Sequence, residues 1–264
     1  MNRREQLQYL NQFLLAEMLQ FQEQADAVPD DDISQRRLLR SLMNVRPPLP
    51  LSPDFLKVQD ALLSAEALEK GIVDADRLPP VSSDPRLAIW QGDITRLRTD
   101  AIVDADNSAL LGCFVPCHGC IDNAIHSAAG LQLRDECYRL MLAQGHTEPN
   151  GSAKLTGGYN LPARYVLHTV GPIVQRRVSR KDRSDLAACY HSCLQLAAAH
   201  NLQSVAFCCI STGEFHFPNQ EAAEIAVRTV KEFLNQQTSS IEKVIFNVFK
   251  NTDLKIYRHL LETD

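Results

Sequence analysis

Leucines 7, 10, 14 and 15 recur at the spacing that lines one side of an α-helix, and Leu38, Leu39 and Leu42 repeat it. The spacing predicts amphipathic helices over residues 4–24 and 33–44. Pro47-Pro48-Leu49-Pro50 interrupts the pattern. Ser52-Pro53 then opens a third helix, with Ser as N-cap and Pro in the first turn, and Gly71 stops it. Pro79-Pro80 followed by Ser82-Ser83 marks a boundary near residue 85. Beyond it the rhythm changes to short apolar, β-rich runs: Leu87–Gln91, Ala101–Asp106, Lys154–Leu161, Tyr165–Val170, Val205–Ser211 and Val244–Phe249. Helical periods at about 121–144, 184–200, 219–236 and 253–262 fall between and after them. Such alternation predicts an α/β sheet covered on both faces, with a helical extension over residues 1–85 and the sheet domain over 86–264. The runs 154–161 and 165–170, joined by Pro162-Ala163-Arg164, predict an antiparallel pair within it. Ligands of such sheets sit at the carboxyl ends of strands.

Composition adds constraints. The chain is 45% hydrophobic and 22% charged, as ordinary globular proteins are. The net charge is −5: residues 1–85 carry 9 Lys/Arg against 14 Asp/Glu, and residues 86–264 carry 18 of each. That balance lacks the basic surplus of a nucleic-acid-binding protein. The basic run Arg176–Arg183 reads as a solvated loop. No apolar run is long enough to span a membrane, and Glu17 and Gln20 break the N-terminal run, so the expectation is that it is not a signal peptide. A cytoplasmic location is the expectation. Eight cysteines then read as thiols or metal ligands. Cys137, Cys189, Cys193, Cys208 and Cys209 lie in apolar or helical contexts and read as small buried hydrophobes.

Cys113, Cys117, His118 and Cys120 crowd into eight residues after the strand that ends at Asp106-Asn107. Thiolate and imidazole are the donors zinc prefers. Cys113, His118 and Cys120 supply such donors; Cys117 could add a fourth, although adjacent residues such as Cys117 and His118 seldom face one ion. Three protein ligands leave a fourth position for water or substrate, the arrangement of catalytic zinc. Spacing alone also admits a loop of accidental thiols. Asp122 stands two residues after the last ligand; on its own it reads as a helix cap, and beside a metal as a general base or an orienter of water. His126, one turn on, reads as a satisfied core histidine. A second loop, Ser211-Thr212-Gly213-Glu214-Phe215-His216-Phe217, follows a strand and offers backbone N–H groups to an anion such as phosphate. Phe215 or Phe217 could pack in the core or lie over a ligand's sugar.

Together these segments resemble the zinc-dependent branch of the macrodomains. The resemblance runs through Gln91-Gly92-Asp93-Ile94-Thr95, the strand ending in Asn107, and the loop from Cys113 to Asn123. It continues through Gly151-Ser152-Ala153-Lys154, Tyr159-Asn160-Leu161-Pro162, His168-Thr169-Val170-Gly171-Pro172 and the Ser-Thr-Gly loop. Leu42–Pro47 and Phe55–Asp60 resemble that branch's helical extension. The implied fold is a three-layer α/β/α macrodomain on a mixed six-stranded sheet, preceded by small helices. The implied ligand is ADP-ribose, with Asp93 accepting the adenine amino group and Ile94 supplying backbone contact. Asn107 would hold the distal ribose, Ser211, Thr212, Gly213 and Glu214 the diphosphate, and Phe215 would pack on the distal ribose. Cys113, His118 and Cys120 match the branch's zinc ligands, one ion per chain, and Asp122 matches an acidic residue near the distal ribose. The implied activity is removal of mono-ADP-ribose from protein side chains, with an ester to Asp or Glu as the expected bond and a lipoyl-carrier protein as an expected substrate.

Two positions depart from the family pattern. Val-Asn-Ala-Ala-Asn stands here as Val103-Asp104-Ala105-Asp106-Asn107, and the residue after Ser-Thr-Gly is Glu214. Carboxylates facing a dianionic ligand would repel it unless they turn away or find partners. Three readings follow: a zinc-dependent hydrolase with Asp122 and Asn107 in its catalytic centre, a module that binds ADP-ribose without cleaving it, and a protein whose zinc only staples a loop. An open metal position favours the hydrolase, because pure binding gains little from a Lewis acid.

Overall fold

The computed structural model describes residues 1–236 and 239–262. Four helices come first: α1 (Arg3–Glu17), α2 (Gln22–Asp26), α3 (Asp32–Val45) and α4 (Pro53–Lys70). The helix expected over 4–24 is broken, because the chain leaves α1 at Met18 and passes through a 3₁₀ turn before α2. Ser52 caps α4 through a hydrogen bond from Phe55 N at 3.1 Å, and Gly71 ends it at φ 80°. Leu7, Leu10 and Leu14 of α1 bury against Leu39 and Leu42 of α3 and Phe55 and Leu62 of α4, and Leu131 reaches into the same cluster.

The remaining elements build a three-layer α/β/α fold. Strands β1 (Val73–Asp74) and β4 (Leu97–Arg98) form a separate two-residue pair. The main sheet takes β2 (Pro80–Val81), β3 (Asp84–Gln91), β5 (Ala101–Asp106), β6 (Ala153–Gly157), β7 (Tyr165–Val170), β8 (Ser204–Phe207) and β9 (Lys243–Val248), in the order β2-β3-β9-β8-β5-β7-β6. It has seven strands where the resemblance implies six, because Pro80–Val81 adds an edge beside β3. The five central strands are parallel, and both edges are antiparallel, β6 against β7 among them. Helices α5 (Ile121–Ala129) and α6 (Leu131–Gln144) cover one face. Helices α7 (Arg180–Ala199), α8 (Asn219–Gln236) and α9 (Asn251–Glu262) cover the other, where Phe207 packs on Tyr190 and Phe246 on Tyr257.

Three expectations need correction. Residues 121–144 form two helices, because Gly130 at φ 99° cannot continue one. The strand expected over 154–161 ends at Gly157, and that expected over 205–211 ends at Phe207, where the chain turns into loops. No helix among the described residues is long and apolar enough to cross a membrane.

The loops after β3, β5, β7 and β8 leave the sheet at one edge. From β5 the chain moves to β7 on one side and later returns to β8 on the other, so the loops at their ends part around a crevice. From β3 to β5 the order crosses three strand spacings, about 14 Å at about 4.8 Å each. The crevice therefore suits an elongated ligand.

Candidate active site

Asp93 lies at the β3 end of this edge. Its Oδ1 accepts from Thr95 N at 3.0 Å and Thr95 Oγ1 at 2.7 Å, which turns the chain and leaves Oδ2 for another donor. Ile94 beside it is buried. A cavity of about 100 Å³ adjoins Asp93, with Ala124 and Ser127 of α5 on one wall and Arg40 and Leu63 of the N-terminal helices on the other.

The loop after β8 is held by Phe217 N donating to Ser211 O at 2.9 Å and Thr212 Oγ1 donating to Cys209 O at 2.9 Å. Ser211 sits at φ 64°, where non-glycine residues are uncommon. Among the described residues, the N–H groups of Gly213, Glu214 and Phe215 have no protein acceptor, which leaves three consecutive donors for an anion. Phe217 is a core residue, and Phe215 is half-buried at the crevice. Glu214 is exposed and turns its carboxylate toward the loop after β5, with Oε1 3.8 Å from His118 Nε2.

That loop brings the soft donors together. Cys113 Sγ and His118 Nδ1 are 3.6 Å apart, and the donor atoms of Cys113, His118 and Cys120 all lie within 4.8 Å of one another. Ligands sharing a tetrahedral ion at Zn–S of about 2.3 Å and Zn–N of about 2.0–2.1 Å stand about 3.6 Å apart, so the donor set fits zinc. Burial pushes the Cys120 thiol up to about 12, and a bound cation would offset that cost to the thiolate. Cys117 takes no part. At φ 52° its Sγ faces Ser41 Oγ at 3.2 Å and Arg37 O at 3.6 Å, both on α3.

Asp122 and Asn107 close the site from below. The cap of α5 is Cys120, whose Sγ accepts from Asn123 N at 3.4 Å, so Asp122 is not the capping residue. Asp122 is 5% exposed, its Oδ2 accepts from Asn107 Nδ2 at 3.4 Å, and its Oδ1 has no hydrogen-bond partner among the described residues but stands 3.6 Å from His126 Nε2. Burial, then the neighbouring Asp106 and Cys113, raises its carboxyl well above the usual range. Asn107 Nδ2 also donates to Gly112 O at 3.2 Å, which ties the strand end to the loop.

The unusual carboxylates Asp104 and Asp106 do not line the crevice. They point beneath the sheet toward α5 and α6, at 0% and 1% exposure, where Asp106 Oδ2 meets His168 Nδ1 at 2.6 Å. His126 is buried there too, but it is not satisfied: neither ring nitrogen has a hydrogen-bond partner among the described residues. Nor is Cys137 a bare hydrophobe, since its Sγ stands 3.7 Å from His168 Nε2. Sequence spacing could not join these groups, which come from four different elements.

The N-terminal helices hold the donor loop. Asn44 Oδ1 accepts from Cys117 N at 2.9 Å, and Asn44 Nδ2 donates to Ser127 Oγ at 3.0 Å. Arg134, 3% exposed, donates from Nε to Leu111 O at 2.6 Å and from Nη1 to Met43 O and Arg46 O, both at 2.7 Å. It thereby satisfies carbonyls at the end of α3 while anchoring the start of the loop.

A family model described as Macro domain matches residues 103–226. A protein-ADP-ribose hydrolase of Treponema medium is 47% identical over 263 residues, covering 99% of this chain and 100% of its own. One from Staphylococcus aureus (strain Mu50 / ATCC 700699) is 52% identical over 228 residues, 86% of this chain and 85% of that protein. The structure of a Trypanosoma brucei macrodomain in complex with ADP-ribose aligns with a TM-score of 0.65 at 33% identity, covering 84% of this chain and 94% of that one.

Proposed function

The chain belongs to the macrodomain family and stands there among the protein-ADP-ribose hydrolases; from that premise we propose that it removes mono-ADP-ribose from protein side chains in a zinc-dependent reaction. The bond is an ester to Asp or Glu, and a lipoyl-carrier protein is the substrate to test first. One observation carries the zinc-dependent reading: the donors of Cys113, His118 and Cys120 converge on the same loop that places Asp122 beside Asn107.

Asp93 Oδ2 accepts the adenine amino group at one end of the crevice. The N–H groups of Gly213, Glu214 and Phe215 hold the diphosphate at its centre. Asn107 and Phe215 fix the distal ribose, which puts the scissile bond above Asp122. Zinc, when bound by the three donors, supplies Lewis acidity beside that ribose. Asp122 takes the proton of the attacking water, a role suited by its place beside Asn107 and by an Oδ1 without a hydrogen-bond partner among the described residues.

The test is turnover of a mono-ADP-ribosylated carrier protein with and without chelator. Wild type should release ADP-ribose, lose activity with chelator and regain it with zinc. Asp122→Asn should keep its zinc and lose about 10²-fold or more in rate. Chelator-insensitive turnover would remove zinc from the reaction, and binding without turnover would make the protein a reader of ADP-ribose.

A further inference from the structure

Beneath the crevice, four buried side chains from three elements point into one space. Asp104 and Asp106 project from the same face of β5, and His168 stands in register with Asp104 on β7. Helix α5 lays His126 over them, with Nε2 3.9 Å from Asp106 Oδ1. Each of the four is at most 5% exposed, and their donor atoms all lie within 4.8 Å of one another.

Their hydrogen bonding is incomplete in one direction only. Both oxygens of Asp104, Oδ1 of Asp106 and both ring nitrogens of His126 lack a hydrogen-bond partner among the described residues, and His126 Nε2 stands 3.6 Å from Asp122 Oδ1. His168 is satisfied on its far side, where Nε2 lies 2.8 Å from Thr156 Oγ1. Its Nδ1 stands 2.6 Å from Asp106 Oδ2, a short contact bridged by a proton that a bound cation would displace. Arg134 commits Nε and Nη1 to the carbonyls of Leu111, Met43 and Arg46.

We propose that Asp104, Asp106, His126 and His168 bind a second divalent transition-metal ion, separate from the ion of the Cys113–Cys120 loop. Two carboxylates and two neutral imidazoles are an ordinary nitrogen and oxygen donor set for such an ion, and their charge matches it. Binding releases the protons these groups would otherwise share. A proton on Asp104 would not complete the hydrogen bonding, because a neutral carboxyl still needs an acceptor for its O–H and neither Asp104 oxygen has a hydrogen-bond partner among the described residues. Thr156 orients His168 as an outer partner of a ligating histidine does. The ion would clamp α5 to β5 and β7, one helical turn from Asp122.

Cobalt tests this, because it reports thiolate ligation by near-ultraviolet charge-transfer absorption. Full-length protein produced in cobalt-supplemented minimal medium should hold two equivalents per chain, one with thiolate bands and one without. Cys113→Ser with Cys120→Ser should keep one equivalent, free of those bands. Adding Asp104→Asn and His126→Gln to that variant should remove it. A wild-type protein holding one equivalent, or none, overturns the proposal. So does loss of all cobalt from the Cys113→Ser, Cys120→Ser variant, or its retention after the last two substitutions. Should the fourfold variant fail to fold, the wild-type count and spectrum decide alone.

Discussion

Arg40 of α3 donates from Nε and Nη2 to Asn123 Oδ1, at 3.1 and 2.7 Å, and its Nη2 also reaches His118 O at 3.2 Å. Asn123 in turn donates from Nδ2 to Val115 O at 3.0 Å. A helix outside the sheet domain thus sets the shape of the donor loop. Arg40→Met should weaken zinc binding by about 10–100-fold, the usual effect of losing an outer partner of a metal ligand. Chelator competition giving the same affinity for both proteins would show that the loop holds itself.

Cys117 tests ligand number. Because its thiol faces Ser41 and Arg37 O, Cys117→Ser should leave zinc content unchanged by elemental analysis, whereas Cys113→Ser should abolish stoichiometric binding. Loss of zinc in both variants would point to a closed four-ligand site.

At the opposite end of the crevice, Asp93→Asn keeps an Oδ1 to hold the Thr95 turn and removes the carboxylate that would accept an adenine amino group. ADP-ribose affinity should fall by about 1.5–3 kcal/mol, as for a lost hydrogen bond to a charged group. Equal affinities by calorimetry would place adenine elsewhere.

Gly171 at the end of β7 leaves room for the Ser211 loop: a Cβ built there would stand 2.0 Å from Ser211 Oγ. Gly171→Ala must push that loop aside. With overpacking costing about 1–3 kcal/mol, ADP-ribose binding should weaken by about 10-fold or more. Unchanged binding would mean that the loop's N–H groups do not hold the diphosphate.

Asp100 gives the fold an acid-sensitive clamp. Burial opposes its ionisation, but hydrogen bonds from Gln203 N and Ser204 N and the Arg164 guanidinium outweigh it and lower the carboxyl pKa. A lowered folded-state pKa stabilises above the unfolded value of about 3.9 and is lost as pH falls through the folded one. Asp100→Asn should therefore cost about 1–3 kcal/mol at neutral pH and progressively less below about pH 4. Urea melts whose difference stays constant into acid would contradict this.

Where local chemistry dominates, elements are legible from the chain. Ala101–Asp106 and Tyr165–Val170 fill their strands end to end, because β-branched and apolar residues such as Ile102, Val103, Val166 and Leu167 suit strands buried on both faces. Ser52-Pro53 starts α4 because its hydroxyl satisfies a backbone N–H within three residues. The break at Gly130 is not legible, since helical periodicity continues through it and a single glycine is tolerated in a helix. A Cβ there would meet Gln59 Nε2 at 2.6 Å, a side chain 71 positions away in sequence and in contact only after α4 has docked.

The sequence by itself determined the alternation of strand and helix, the covered sheet and the crowding of soft donors after β5. Each of those follows from spacing within a few residues. Only the tertiary structure decided that Cys117 faces α3, that Asp104 and Asp106 turn away from the crevice, and that His126 and His168 meet them. A side chain's direction in a loop, and its partners across a sheet, are set by packing between segments far apart in the chain. His168 lies 62 residues from Asp106, and Arg40 lies 83 from Asn123. Periodicity says which face of a strand is buried; it does not say which charges share that burial.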